Sequence, residues 1–161
     1  MFRDPLTTIV PSLGYDTYGL DITFVPIKYP NLTFMQSDVK KTDFQDNFFD
    51  TVVAVSTIEH VGMHERDLKG DRKAIKEIIR ILKPGGILLI TVPMGNKFKE
   101  TTFERIYDPE SLKSLIHGLE TSKIIFYKKE KSGAYVETEI KDLPEPEADA
   151  SIGLISVKKI V

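Results

Sequence analysis

Apolar residues in this chain gather into short β-forming runs, separated by polar loops and one helical stripe. Tyr15–Asp21 and Leu32–Gln36 each read as a strand, joined by the proline-bearing stretch FVPIKYPN. Phe49–Val55 is nearly continuous β-former, the pattern of a central parallel strand covered on both faces. From Asp71 onward, Ala74, Ile75, Ile78, Ile79 and Leu82 recur at helical spacing and predict a single core-facing stripe. Lys83-Pro84-Gly85-Gly86 ends that helix, since proline cannot continue it and glycine tolerates a left-handed turn. Ile87–Val92 is then the next strand.

The flanks carry weaker signals. The β-branched run Thr7–Val10 reads as the end of a helix closed by Gly14, or as a strand. Pro11 suits neither, and the short distance to Tyr15 favours the helix. Residues 56–70 and 93–107 are long polar loops. Asp108 suits the N-cap of a helix through Ser111–His117, with Pro109 in its first turn and Glu110 favourable beside the dipole. Ser122–Lys129 and Ala134–Ile140 flank Lys131-Ser132-Gly133 as a hairpin, and Ser151–Lys158 is a last strand behind the exposed acidic connector LPEPEADA. Strands alternating with helices predict an α/β fold with a mostly parallel sheet, whose ligand lies at the carboxyl ends of the strands. With 161 residues and no internal repeat, one domain over 1–161 is expected.

Composition narrows the partners. A net charge of −2, with 29% charged and 41% hydrophobic residues, offers no general phosphate-binding surface, so no nucleic acid is expected. The basic cluster Lys123, Lys128, Lys129 and Lys131, interrupted by Glu130, reads as a solvated strand end. There is no cysteine, which removes disulfides, thiolate metal sites and a cysteine nucleophile. The longest apolar run, Ile87–Pro93, is too short to span a bilayer, and the N-terminus lacks a signal-peptide layout. No membrane association and a cytoplasmic location are therefore expected.

The ordered set SDVKKTDFQDNFFDTVVAVSTIEHV, then the helix, then LKPGGILLITVP, resembles class I S-adenosylmethionine-dependent methyltransferases, a likeness running from YGLDI to SIGLISVKK. The resemblance implies a doubly wound, mostly parallel Rossmann-like sheet with an antiparallel last strand, Ser151–Lys158 beside Ser122–Lys129. It implies S-adenosylmethionine as cofactor. Asp21, with Ile22 beside it, matches the acidic position that accepts both ribose hydroxyls, and such charge-assisted bonds are strong. Asp38 matches the position that accepts from the adenine amino group. Val39 offers a backbone N–H to the ring, and Ser56 and Thr57 border the cofactor and admit the substrate. An Asp at a strand end also serves as a turn or cap residue; the two together, at these offsets from Phe49–Val55, favour the cofactor.

One part of the family pattern is not in the sequence. The family begins with a strand feeding a glycine-rich turn and a helix, which brings backbone N–H groups to the cofactor's amino-acid end. The first strand and that turn are missing, and the domain is expected to be N-terminally incomplete. That strand would lie between Tyr15–Asp21 and Phe49–Val55, and its loss leaves two rows of unpaired backbone groups. Three readings follow in order of preference: an incomplete chain, a strand supplied by a second chain or swapped element, or direct pairing of the two strands.

Methyl transfer needs alignment above all, and a base only where the acceptor must lose a proton. Glu59 and His60 lie on the loop facing the methyl position. They are the candidate catalytic pair, with His60 the better base by its intrinsic acidity. His60 also reads as a loop-packing residue. His60 and His64 are spaced for a metal on a helix, but Gly62 between them weakens that helix, and no metal is expected. Phe98, Phe103, Arg105 and Tyr107 suit a small-molecule or glycan-like acceptor. The expected function is methyl transfer to such an acceptor. The alternatives are a non-catalytic methyltransferase-like subunit that binds a partner chain, or a dehydrogenase-like nucleotide-binding domain using Asp21. A homo-oligomer or a strand-donating partner completes the list of expected partners.

Overall fold

The computed structural model describes residues 5–147 and 150–160. The chain divides into two compact units, Met1–Asp43 and Phe44–Val161.

In the first unit, helix α1 (Leu6–Ser12) contains Pro11, and Gly14 at φ +89° turns the chain out of it. Strands β1 (Thr17–Asp21) and β2 (Leu32–Gln36) pair in parallel, from Thr17 opposite Leu32 to Asp21 opposite Gln36. Residues 22–31 join them without a helix, a short connection for a parallel crossover. On one face Gly19 leaves room for the Phe34 ring. A Cβ there would meet the Phe34 ring at 2.9 Å.

The second unit is a five-stranded sheet in the order β3-β4-β9-β7-β8. Strand β3 (Phe49–Val55) runs parallel to β4 (Leu82–Pro93), with a turn at Ile58–His60 and helix α2 (Gly70–Ile81) between them. The short hairpin β5 (Lys99–Glu100) and β6 (Arg105–Ile106) and helix α3 (Pro109–Leu115) follow. Strands β7 (Leu119–Lys129) and β8 (Tyr135–Thr138) form the expected hairpin. Strand β9 (Ser151–Lys159) lies antiparallel between β4 and β7, pairing with both. The sheet is thus mixed and the class α/β, as expected. Among the described residues, no helix is long and apolar enough to cross a membrane.

Local signals explain most boundaries. Ala74, Ile75, Ile78 and Ile81 are the buried stripe of α2. Asp108 caps α3 reciprocally with Ser111, accepting from its N–H at 2.8 Å while Ser111 Oγ accepts the Asp108 N–H at 2.9 Å. The Pro84-Gly85-Gly86 stretch differs from expectation. It ends α2, yet it lies inside β4, which begins at Leu82 opposite Phe49 before a register shift. Gly85 sits at φ +77°, and a Cβ on Gly86 would come within 2.9 Å of Lys83 O. The acidic connector is also less exposed than expected, with Leu143 buried and Pro146 packed against Gly95.

One face of the sheet is the core. Leu88, Ile90, Val92, Ile155 and Val157 are each at most 1% exposed, and burial of such a side chain contributes about 1.5–3 kcal/mol. The other face corrects the expectation of a strand covered on both sides. Val53 and Val55 are 45% and 49% exposed, and Ile87, Leu89 and Leu154 are also exposed. Phe48 is 39% exposed and stacks on Phe44. Among the described residues, β3 is the edge strand of its sheet, paired with β4, and β1 pairs with β2.

Candidate functional site

In the first unit the parallel pairing brings two acidic residues to the same end. Asp21 closes β1, and its carbonyl accepts from Ser37 N–H at 2.9 Å, which carries the chain past β2 to Asp38. Each carboxylate is held by a local turn: Asp21 Oδ1 accepts from Thr23 N–H at 2.7 Å, and Asp38 Oδ1 from Lys40 N–H at 2.8 Å. Lys40 Nζ stands 3.5 Å from Asp38 Oδ2. Asp21, Asp38 and Val39 are half-buried, whereas Ile22 is 66% exposed. A carboxylate offers several lone pairs, so a turn that uses one leaves room for ligand hydroxyl or amino donors. This donor set fits the nucleoside half of S-adenosylmethionine. No glycine-rich turn for its amino-acid end occurs among the described residues of this unit.

In the second unit the chain leaves β3 through Ser56, held at φ +47°, a conformation unusual for serine. Its N–H donates to Thr91 Oγ1 at 3.0 Å on the neighbouring strand, and its hydroxyl donates to Glu59 Oε1 at 2.9 Å. Glu59 is completely buried, and its Oε2 has no hydrogen-bond partner among the described residues. Burial pushes the Glu59 carboxyl above the ordinary carboxylate range, against the pull of a backbone contact, the Ser56 hydroxyl and the nearby His60. His60 Nδ1 lies 3.0 Å from Phe103 O, its ring is 4.5 Å from the Phe103 ring, and its Nε2 is 3.8 Å from Glu59 Oε1.

Two features hold this loop. Gly62 and Gly70 pack backbone to backbone: a Cβ on Gly62 would meet Asp67 O, and one on Gly70 would meet Val61 O, both at 2.5 Å. Arg105 on β6 supplies the second. Its guanidinium donates to Val61 O at 2.8 Å, Asp67 O at 3.1 Å and Glu100 Oε2 at 3.1 Å, with Glu59 O at 3.5 Å. Tyr107 Oη donates to Asp71 Oδ2 at 2.9 Å. Burial and the Asp71 carboxylate push the phenol far up, so it stays protonated.

These contacts correct one expectation. Arg105 and Tyr107 do not face an acceptor; they are 2% and 1% exposed and brace the loop from beneath. Phe98 and Phe103, at 45% and 60% exposed, do present rings outward. Glu59 too lies inside rather than on the loop's open side. The brace escaped sequence reasoning because its partners are main-chain carbonyls some forty residues away, which leave no side-chain pattern.

Residues 5–90 match the methyltransferase domain family. A ubiquinone/menaquinone biosynthesis C-methyltransferase of Stutzerimonas stutzeri is 35% identical over 88 residues, 53% of this chain and 30% of that protein. The chain spans about three-tenths of the length of the first such curated relatives it matches. An S-adenosylmethionine-dependent methyltransferase of Methanosarcina mazei superposes with a TM-score of 0.67 at 16% identity, over 95% of this chain and 86% of its own. The 1,6-didemethyltoxoflavin N1-methyltransferase of Burkholderia thailandensis, solved with bound 1,6-didemethyltoxoflavin and S-adenosylhomocysteine, gives a TM-score of 0.68 at 13% identity, over 95% of this chain and 65% of its own.

Proposed function

The chain belongs to the methyltransferase domain family, and from that premise we propose that it transfers a methyl group from S-adenosylmethionine to a small-molecule acceptor. The observation that carries this reading is the placement of Asp21 and Asp38 at the carboxyl ends of two adjacent parallel strands. S-adenosylmethionine supplies a methyl group already activated on a sulfonium. Asp21 accepts the ribose hydroxyls, and Asp38 accepts the adenine amino group, with Val39 N–H beside it. Ile22 borders the same cofactor.

The loop after β3 serves the acceptor. His60 takes the acceptor proton, and Glu59 beneath it tunes that step. The exposed rings of Phe98 and Phe103 suit a flat apolar acceptor. Relatives named for C-methylation in ubiquinone and menaquinone biosynthesis support a quinone-type acceptor ahead of a glycan-like one.

A second reading has its own support. Among the described residues β3 is the edge strand of its sheet, and with the exposed Val53 and Val55 it suits a partner chain that adds a strand, as in a non-catalytic methyltransferase-like subunit. Calorimetric titration of the full chain with S-adenosylmethionine separates the two. Micromolar binding that weakens about 10–100-fold in Asp21→Ala supports the enzyme, since charge-assisted hydrogen bonds of about 1.5–3 kcal/mol are removed. A folded chain that binds no cofactor overturns it in favour of the subunit.

A further inference from the structure

Building on the methyl-transfer reading, we propose that the connector 143–147 sets acceptor selectivity: Glu145 is a positioning residue that fixes Phe98 as a preformed platform for a flat, neutral aromatic acceptor. The connector lies at the end of the sheet where this matters. Strand β4 runs out at Pro93, which pairs with Ile152 near the start of β9. Residues 94–99 and the connector therefore meet at the carboxyl end of β4, the end at which such sheets bind ligands.

The connector is seated on that loop. Leu143 and Pro146 are buried, and a Cβ on Gly95 would come within 2.9 Å of Pro146. Asn96 N–H donates to Pro144 O at 2.8 Å, and Lys99 Nζ donates to Pro146 O at 3.2 Å. Glu145 divides its two oxygens between the residues before Phe98. Asn96 Nδ2 donates to Oε1 at 2.9 Å, and Lys97 Nζ lies 2.8 Å from Oε2. Phe98 N–H itself donates to Asp108 Oδ2 at 3.1 Å. Every residue from Gly95 to Lys99 is thus held, all but Phe98 by the connector.

A single exposed aromatic ring is ordinary on a protein surface. Phe98 differs because its ring is 45% exposed while its own N–H and both of its neighbours are fixed. The ring stands against the buried Tyr107 ring at 6.1 Å and 61°. A ring held ready in this way loses little freedom when a flat ligand stacks on it. Both flanking lysines are engaged by the connector, Lys97 by Glu145 and Lys99 by Pro146 O, so neither recruits an anion. That arrangement favours a neutral aromatic acceptor over an anionic one. An exposed ion pair such as Lys97–Glu145 contributes little to stability. Its effect therefore shows in the order of residues 96–99 and not in unfolding.

The test is a titration of the full chain with 2-naphthol, a flat, neutral probe, followed by nuclear magnetic resonance of the Phe98 ring. Glucose serves as a glycan-like control and 2-naphthoate as an anionic one. In wild type, 2-naphthol is expected to shift the Phe98 signals and to bind more tightly than 2-naphthoate, and glucose leaves them unmoved. Glu145→Ala is expected to weaken 2-naphthol about 3–10-fold, the cost of ordering a freed side chain, and to lower the backbone order of residues 96–99 with the urea midpoint unchanged. Glu145→Gln, which still accepts from Asn96, recovers part of that loss. Unmoved Phe98 signals, tighter binding of 2-naphthoate, wild-type affinity in Glu145→Ala, or a loss matched by a lower urea midpoint each overturns the proposal. Calorimetry with S-adenosylmethionine separates the failures. Binding of 2-naphthol without cofactor binding sinks the methyl-transfer reading alone, and cofactor binding with unmoved Phe98 signals sinks the platform alone.

Discussion

Replacing Arg105 tests the brace beneath the candidate catalytic loop. The side chain is 2% exposed, and three of its contacts have full hydrogen-bond geometry: Val61 O at 2.8 Å, Asp67 O at 3.1 Å and Glu100 Oε2 at 3.1 Å. The contact to Glu59 O at 3.5 Å adds little. Bonds from a charged donor contribute about 1.5–3 kcal/mol each, but Glu100 is one-third exposed and regains water. Arg105→Ala also leaves Asp71 without its nearby cation, 3.9 Å away. A loss of about 3–5 kcal/mol follows, the range for removing one member of a buried pair. Domains are stable by about 5–15 kcal/mol, so the variant stands near its limit. With a urea dependence of roughly 2 kcal/mol per molar, the unfolding midpoint falls by about 1.5–2.5 M. Arg105→Lys keeps the charge but not the planar fork, and loses about 1–3 kcal/mol. Urea titrations followed by circular dichroism measure both. If Arg105→Ala unfolds within about 0.5 M of wild type, the guanidinium does not brace the loop and the reasoning fails.

Two further predictions follow from packing and capping. Leu88→Ala, on the covered face, is expected to cost about 2–5 kcal/mol, whereas Leu89→Ala, 36% exposed on the other face, costs well under half as much in the same assay. Equal losses would mean the second face is covered in solution. Asp108→Ala removes the reciprocal cap of α3 and costs about 1 kcal/mol. Burial raises the Asp108 carboxyl, but bonds from the Ser111 hydroxyl, the Ser111 N–H and the Phe98 N–H outweigh it and hold the group below its usual range. The cap's pH-dependent contribution is thus complete above an unfolded value of about 3.9 and lost as pH falls through the lower folded value. The gap between wild type and Asp108→Ala should therefore shrink only below about pH 4; a gap that closes between neutrality and that point would refute the assignment.

Elements were legible wherever the signal was local. The stripe Ala74, Ile75, Ile78 of α2, the Asp108 cap, the Gly14 stop and the last strand read over Ser151–Lys158 each depend on neighbours within a turn or two. Asp21 and Asp38 were legible too, because a strand's carboxyl end is marked by where its apolar run stops. The extent of β4 was not, since only the strand opposite decides whether Lys83-Pro84-Gly85-Gly86 pairs.

What the sequence determined by itself is the order of the main strands and of helices α2 and α3, the fold class and the two strand-end carboxylates, because periodicity and capping are properties of adjacent residues; the β5–β6 hairpin, inside a stretch that reads as a polar loop, was not among them. Only the tertiary structure decided that Arg105 and Tyr107 lie inside, that Glu59 is buried with an unpartnered oxygen, and that Val53 and Val55 face outward. Burial is set by which distant segments come together. A charged side chain reads the same in sequence whether it meets water or, as Arg105 does, the carbonyls of a loop some forty residues away.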